Sequence, residues 1–267
     1  MEHEIAVNTK KTKCMLFASK QQSKNTGKIY IENNDIDFVD KFKYLGVWIR
    51  PNLNNSEHLK QRKITTMTAA HKLNMLGLNT NVLTAELKSF LVNVYCRSAL
   101  QYGIENSYLN EGDYREIVSL EARVIKRALA LTKYHSTTLI INALDTVPLV
   151  TTIKMRKLNF VKQLVMNRLT NEIIQYQLGH KEKLATKSFL REIVRITGKN
   201  IYTLNAENIV KTCRVEVNKL KRVTEQEKSS KESKAIRYLL DHRSSGNDEL
   251  LRTLTHWSTR RQSRVEK

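Results

Sequence analysis

Apolar and polar positions change their period near residue 51. From Lys13 to Arg50 the apolar residues come in short runs or alternate with polar ones. Cys14-Met15-Leu16-Phe17 is a compact run, Lys28-Ile29-Tyr30-Ile31-Glu32 alternates, and Asn33-Asn34-Asp35 supplies a turn before Ile36-Asp37-Phe38-Val39. The stretch Phe42-Lys43-Tyr44-Leu45-Gly46-Val47-Trp48-Ile49-Arg50 is rich in aromatic and β-branched residues and stops at Pro51. This pattern predicts a small set of strands, too small to fold without a partner layer.

Beyond Pro51 the period becomes helical. Ser56 is placed to cap a helix whose apolar positions are Leu59, Ile64, Met67, Ala70 and Leu73, with Gly77 ending it. Thr84 caps the next. Its stripe of Leu87, Phe90, Leu91, Val94, Tyr95 and Ala99 runs to Gly103, and such a stripe is expected to face the core. A third helix is expected from about Asp113 to Leu131 on Ile117, Leu120, Val124, Ile125 and Ala128. A fourth follows Pro148 on Ile153, Phe160 and Leu164. No repeat of fixed period is found, so a bundle is expected rather than a solenoid. Between Lys211 and Arg237, nine Lys/Arg stand against four Glu, with Val215, Val217, Leu220 and Val223 as sparse apolar points around Ser229-Ser230. That predicts a long, exposed and less globular helix with a frayed middle. Trp257, Arg260, Arg261 and Arg264 mark a basic tail. The expected fold is mainly α with a small N-terminal β element, an α+β chain.

Composition narrows the function. Lys+Arg 46 against Asp+Glu 26 gives a formal charge of +20, which suits a polyanionic partner and is not needed by a neutral small-molecule pocket. Cys14, Cys96 and Cys213 are too far apart for a zinc knuckle, and an odd count argues against a disulfide framework. An intracellular, reducing compartment, nuclear or cytoplasmic, is expected. The start Met-Glu-His-Glu has no signal-peptide character, and no apolar run reaches the roughly 20 residues of a membrane span, so neither secretion nor membrane insertion is expected. Lys10, Lys11, Lys13, Lys20, Lys24 and Lys28 lie between Ile5 and Ile31 without one acidic residue. They are either a solvated loop or a segment held against a polyanion. Asp35, Asp37 and Asp40 are the only close carboxylate cluster, and their places around a turn read as exposed loop positions rather than a metal site.

The order of short motifs resembles a known family. Asn8-Thr9-Lys10-Lys11-Thr12 precedes the Cys14 run, Phe42-Lys43-Tyr44-Leu45-Gly46 follows about thirty residues later, and capped helices come next. This is similar to the carboxyl-terminal part of the reverse transcriptase of non-LTR, LINE-type retrotransposons. There an N-x-x-K-T segment closes the palm, and F-K-Y-L-G forms the primer grip before a helical thumb. Leu100-Gln101-Tyr102-Gly103-Ile104-Glu105 resembles the family's L-x-Y-G-x-E signature, and Leu120-Glu121-Ala122-Arg123 with Lys126-Arg127 its following basic helix. The resemblance covers roughly residues 5 to 165. The family's later G-H pair has no counterpart between Lys154 and Lys162, and Gly179-His180 comes too late to match.

The resemblance implies a palm remnant with primer-grip strands over 1–51 and a thumb-like bundle over 52–135; beyond them, periodicity and charge alone predict a further helical region over 136–210 and a basic helical or partly disordered tail over 211–267. The resemblance also implies an RNA-directed DNA polymerase, whose metal-binding Asp motifs lie upstream of N-x-x-K-T. No Asp-Asp pair occurs in these residues. Two-metal phosphoryl transfer needs adjacent carboxylates, so a chain inactive by itself is expected, with no cofactor of its own and Mg²⁺ only in the full-length polymerase. The expected partners are an RNA or DNA template-primer and the missing polymerase half, not a membrane.

By the resemblance, Lys11 is the palm lysine near the triphosphate, flanked by Lys10 and Lys13, and Thr12 braces the backbone; a surface lysine beside a strand is the alternative. Tyr44, Leu45 and Gly46 match the primer grip, where Gly46 allows close approach and Tyr44 offers a ring and hydroxyl to a sugar-phosphate. Simple core packing of Tyr44 and Trp48 is the alternative. Lys60, Arg62 and Lys63 on the first helix, and Lys126 and Arg127 on the third, are candidate phosphate contacts or solvated helix charges. A rival reading from another class is a stand-alone basic nucleic-acid-binding or assembly protein on a helical scaffold. A basic membrane-surface protein is a third, without the aromatic-rich apolar face it needs.

Overall fold

Two tight turns organise the amino-terminal part of the chain. In the computed structural model, which describes residues 8–17, 27–31, 33–51, 56–80, 82–180 and 188–242, strands β1 (Ile29–Ile31) and β2 (Asn34–Ile36) pair antiparallel, with Ile31 opposite Asn34. Asn33 in the turn takes φ 62°, a conformation its short amide side chain tolerates. Strands β3 (Phe42–Tyr44) and β4 (Val47–Ile49) form a second hairpin, with Tyr44 opposite Val47. Leu45 and Gly46 are its two turn residues, at φ 45° and 81°. Two consecutive positive φ values define the turn whose twist matches a two-residue hairpin. Phe42–Arg50 is therefore not one strand, and Gly46 is required by the turn. Nor does Cys14–Phe17 form a strand: Cys14 makes only an isolated bridge to Phe38, donating to Asp37 O (3.0 Å) and accepting from Val39 N (2.9 Å).

The chain divides into two units, Met1–Gln61 and Arg62–Lys267. Among the described residues of the first, only Ile36, His58 and Leu59 are buried. The expected boundaries at 135 and 210 both fall within the second unit. Helix α1 (Ser56–Met75) runs on from the first unit into the second, with Ser56 as its first helical residue. Gly77, at φ 90°, ends it as expected.

The second unit is mainly helical. Helix α2 (Ala85–Leu91) is capped by Thr84 and passes through a π-helical turn, Val92–Arg97, into α3 (Ser98–Gln101). Here the expected stripe faces the wrong way. Phe90 is 58% exposed and Leu87, Val94 and Tyr95 are exposed, whereas Ala85, Val92, Cys96 and Leu100 are buried. The run carries two apolar faces, and a second feature selects between them. Ser89 and Arg97 also lie inside, where the Ser89 hydroxyl meets Thr146 Oγ1 (3.0 Å) and Arg97 pairs with Glu121 (3.2 Å). A π turn adds a residue to the turn and so rotates the side chains beyond it about the helix axis.

Helix α4 (Glu111–Ala128) buries Ile117, Leu120, Val124, Ile125 and Ala128 as expected. Its capping box is Asn110 with Asp113. Helices α5 (Thr137–Ala143) and α6 (Leu149–Met166) follow, and Ile153, Leu158, Val161 and Val165 of α6 are buried. Leu158, Val161 and Val165 join Ile174 and Leu178 of α7 (Arg168–Gly179), Leu190 and Ile193 of α8 (Phe189–Thr197), and Ile209, Cys213 and Val217 of α9 (Ala206–Lys228) in one core. Residues 211–228 are thus not loosely exposed: α9 lies along α6 on a buried i, i+4, i+8 stripe. At Ser229-Ser230, where one long helix with a frayed middle was expected, the chain breaks into two helices: Ser230 caps α10 (Lys231–Asp241), which packs on α5. Lys20, Lys24, Trp257, Arg260, Arg261 and Arg264 lie outside the described residues. Among the described residues no helix is long and apolar enough to cross a membrane.

Candidate nucleic-acid interface

The β3–β4 tip is an exposed part of the expected interface. Tyr44 is 59% and Leu45 75% exposed, and Lys43 beside them is exposed too. A leucine held at positive φ costs about 1–2 kcal/mol relative to ordinary backbone, so the hairpin keeps an apolar side chain outward at some cost. Trp48 is half-buried, with the Lys41 ammonium 5.7 Å from its ring centre.

The Asn8–Thr12 segment is a turn closed on Asn8. Asn8 O accepts from Lys11 N (3.1 Å), Thr12 N (3.0 Å) and Thr12 Oγ1 (2.9 Å), and Asn8 Oδ1 accepts from Lys11 N (3.2 Å). Lys10 and Lys11 project from it exposed. Lys13 is tied to Asp37 at 2.5 Å, which holds the Asp37 carboxyl below its usual range. Asp35 sits 3.5 Å from Lys28, and Asp40 is exposed. Among the described residues no three His, Cys, Asp or Glu side chains gather to hold a metal ion.

On α1, Lys60 is exposed. The Arg62 guanidinium stacks 5.2 Å from the Tyr102 ring, and Lys63 is paired with Glu116. A shallow groove of about 440 Å³ between α1 and α4 is lined by Lys63, Ile64, Met67, Glu116 and Arg123. Lys126 donates to Lys133 O (3.0 Å), and partial burial lowers its pKa; Arg127 is exposed. Of these five cations, Lys60 and Arg127 offer the most accessible charge.

The signature segments have structural roles of their own. Leu100 and Ile104 are core, and Gly103 at φ 70° turns the chain out of the helix. Glu121 accepts from Leu149 N through both oxygens (3.1 Å each). Burial raises the Glu121 pKa and lowers that of Arg97, each opposed by the other's charge. A second buried ion pair gave no sign in the sequence. Lys157 Nζ lies 3.1 Å from Glu192 Oε2, and both side chains are fully buried. Glu192 also accepts from Leu109 N (2.9 Å) and Tyr114 Oη (2.6 Å), while Lys157 donates to Ser107 O. Burial lowers the Lys157 pKa and raises that of Tyr114, to which the Glu192 charge adds. With both Glu192 oxygens and the Lys157 ammonium engaged, this network joins the loop before α4 to α6 and α8.

The α9 cations were legible only as a charge run. Their positions at helical spacing, Lys211, Arg214, Lys221 and Arg222, were the signal that could have singled them out. Comparison with family models, characterised proteins and solved structures returned no match to this chain.

Proposed function

We propose that this chain is the template-primer-holding part of a LINE-type reverse transcriptase, which grips a nucleic-acid backbone and does not polymerise by itself. The observation that carries this reading is the β3–β4 tip, where Tyr44 and Leu45 stand exposed on a turn shaped by Leu45 and Gly46. A tip with a ring, a hydroxyl and a neighbouring lysine suits a sugar-phosphate. Phe17, 56% exposed, and Ile29, 42% exposed, support the same reading as a palm surface that the rest of a polymerase would cover. Trp48 is half-buried.

Two experiments test it. Primer extension with Mg²⁺ is expected to give no incorporation above a no-protein control; incorporation overturns the inactive half of the proposal. Tyr44→Ala is expected to weaken binding of an RNA–DNA hybrid by about tenfold, within the ~1–3 kcal/mol a stacked base is worth. Unchanged affinity overturns the grip.

The rival, a stand-alone nucleic-acid-binding or assembly protein, draws on the dense second unit, which holds its own core and buried ion pairs. Amide exchange separates the two: slow exchange throughout 13–50 favours the rival, and fast exchange there favours a severed palm.

A further inference from the structure

We propose that the solvent face of α9 is a second, sequence-tolerant track for the sugar-phosphate backbone of a nucleic acid; it shares with the reading above only the class of partner. Lys211, Arg214, Asn218, Lys221 and Arg222 are all exposed. At ~100° per residue they fall within a sector about 100° wide. Lys211 to Arg222 spans about 16 Å of helix at ~1.5 Å per residue, which matches about five nucleotide steps of one duplex strand.

Pairing distinguishes these cations from their neighbours. Lys219 pairs with Glu216 (3.6 Å) and Lys228 with Asp145 (3.1 Å), but among the described residues Lys211, Arg214, Lys221 and Arg222 have no carboxylate partner. Glu207 and Glu225, both exposed, bracket the stripe and bound its length. At the amino-terminal end the stripe meets a shallow groove of about 410 Å³, where Lys199 and Asn208 join Lys211 and Val215. There the track gains one more cation and an amide able to bond a sugar hydroxyl or a base edge.

An acidic membrane surface fits the same charge less well. Interfacial helices bury a wide apolar face in lipid, and the apolar face of α9, Ile209, Cys213 and Val217, is already spent on the core. A protein partner would need aromatic or aliphatic anchors; between Lys211 and Arg222 the exposed face offers Val215 alone.

The test is binding of a short RNA–DNA hybrid by the full chain across a salt series, comparing wild type, the quadruple variant K211Q/R214Q/K221Q/R222Q, E207Q/E225Q and Tyr44→Ala. All the α9 positions are exposed, and far-UV circular dichroism checks that each variant is folded. The quadruple variant is expected to lower the slope of log K against log salt by about 3.6, at ~0.9 per neutralised phosphate, and to weaken binding at least tenfold at moderate salt. E207Q/E225Q, which lengthens the stripe, is expected to tighten binding several-fold. A folded quadruple variant whose slope falls by less than about 1 overturns the track, as does a wild type that fails to bind the hybrid. If that slope is intact while Tyr44→Ala still weakens binding, the track fails and the hairpin grip survives; the converse sinks the grip alone. Co-sedimentation with phosphatidylserine vesicles that is lost in the quadruple variant, with hybrid binding unaltered, reassigns the face to membrane and overturns the proposal.

Discussion

The two units solve the same problem, burying a backbone, in opposite ways. The first closes two hairpins and leaves Phe17, Ile29 and Tyr30 in water, with Ile36, His58 and Leu59 its only buried described residues. The second encloses so much that it must neutralise charge inside, pairing Lys157 with Glu192 and Arg97 with Glu121. Hairpins of such short strands have little area to hide, whereas helices packed against a common core bury some polar residues along with their apolar ones. The contrast teaches that the two units are held differently: the first by short hairpin hydrogen bonds with little buried surface, the second by a shared core.

The largest effect expected from this contrast is in thiol reactivity. Burial pushes the Cys96 and Cys213 thiols up to about 11, while Cys14 in the first unit is half-exposed. At about pH 8 alkylation of Cys14 should outpace the other two by orders of magnitude, until denaturant opens the second unit. Equal rates for all three, followed by mass spectrometry, would erase the contrast. Next in size, Glu192→Ala strands the Lys157 charge and should destabilise the second unit by about 3–5 kcal/mol in urea titration. The double variant Lys157→Met/Glu192→Met should recover only the part due to the stranded charge, since Leu109 N, Tyr114 Oη and Ser107 O still lose their partners; a single variant within experimental error of wild type would show that the pair is not buried. Leu100→Ala should cost about 2–5 kcal/mol. Smaller and opposite in sign, Leu45→Gly relieves the positive φ and should stabilise the first unit by about 1 kcal/mol. It should also weaken hybrid binding, a combination that ordinary destabilisation does not produce. Smallest is Phe90→Ser, expected to stay within about 0.5 kcal/mol although its spacing marks it as core; a cost above about 2 kcal/mol would return that stripe to the interior.

How far the sequence carried depends on where the deciding partner sits. Helix α4 was legible because Ile117, Leu120, Val124 and Ile125 repeat on one face, although its capping box starts the helix two residues before the expected Asp113. Helix α2 was legible as a helix but not as to which side is in, because Arg97 finds Glu121 only in the folded chain. The hairpin was hidden by its own composition: Leu45 is an unusual residue for a positive-φ turn, so Phe42–Arg50 read as continuous strand. Among the expected interface residues, the exposure of Lys10, Lys11 and Lys60 fits their polar context. The engagement of Lys63 by Glu116, 53 residues away, leaves no local trace. Lys157 stood in a run with Lys154 and Arg156, and nothing near it foretold a fully buried ammonium.

Helix α6 begins behind Pro148 with no side-chain cap of its own, and its first amide, that of Leu149, is held by Glu121 from α4. The start of α6 is therefore a property of two segments 28 residues apart, and during synthesis the receiving carboxylate leaves the ribosome before the amide it will accept. The cap that α6 lacks in its own sequence is thereby lent by α4, and without that carboxylate the first turn of α6 would keep an amide with no side-chain acceptor.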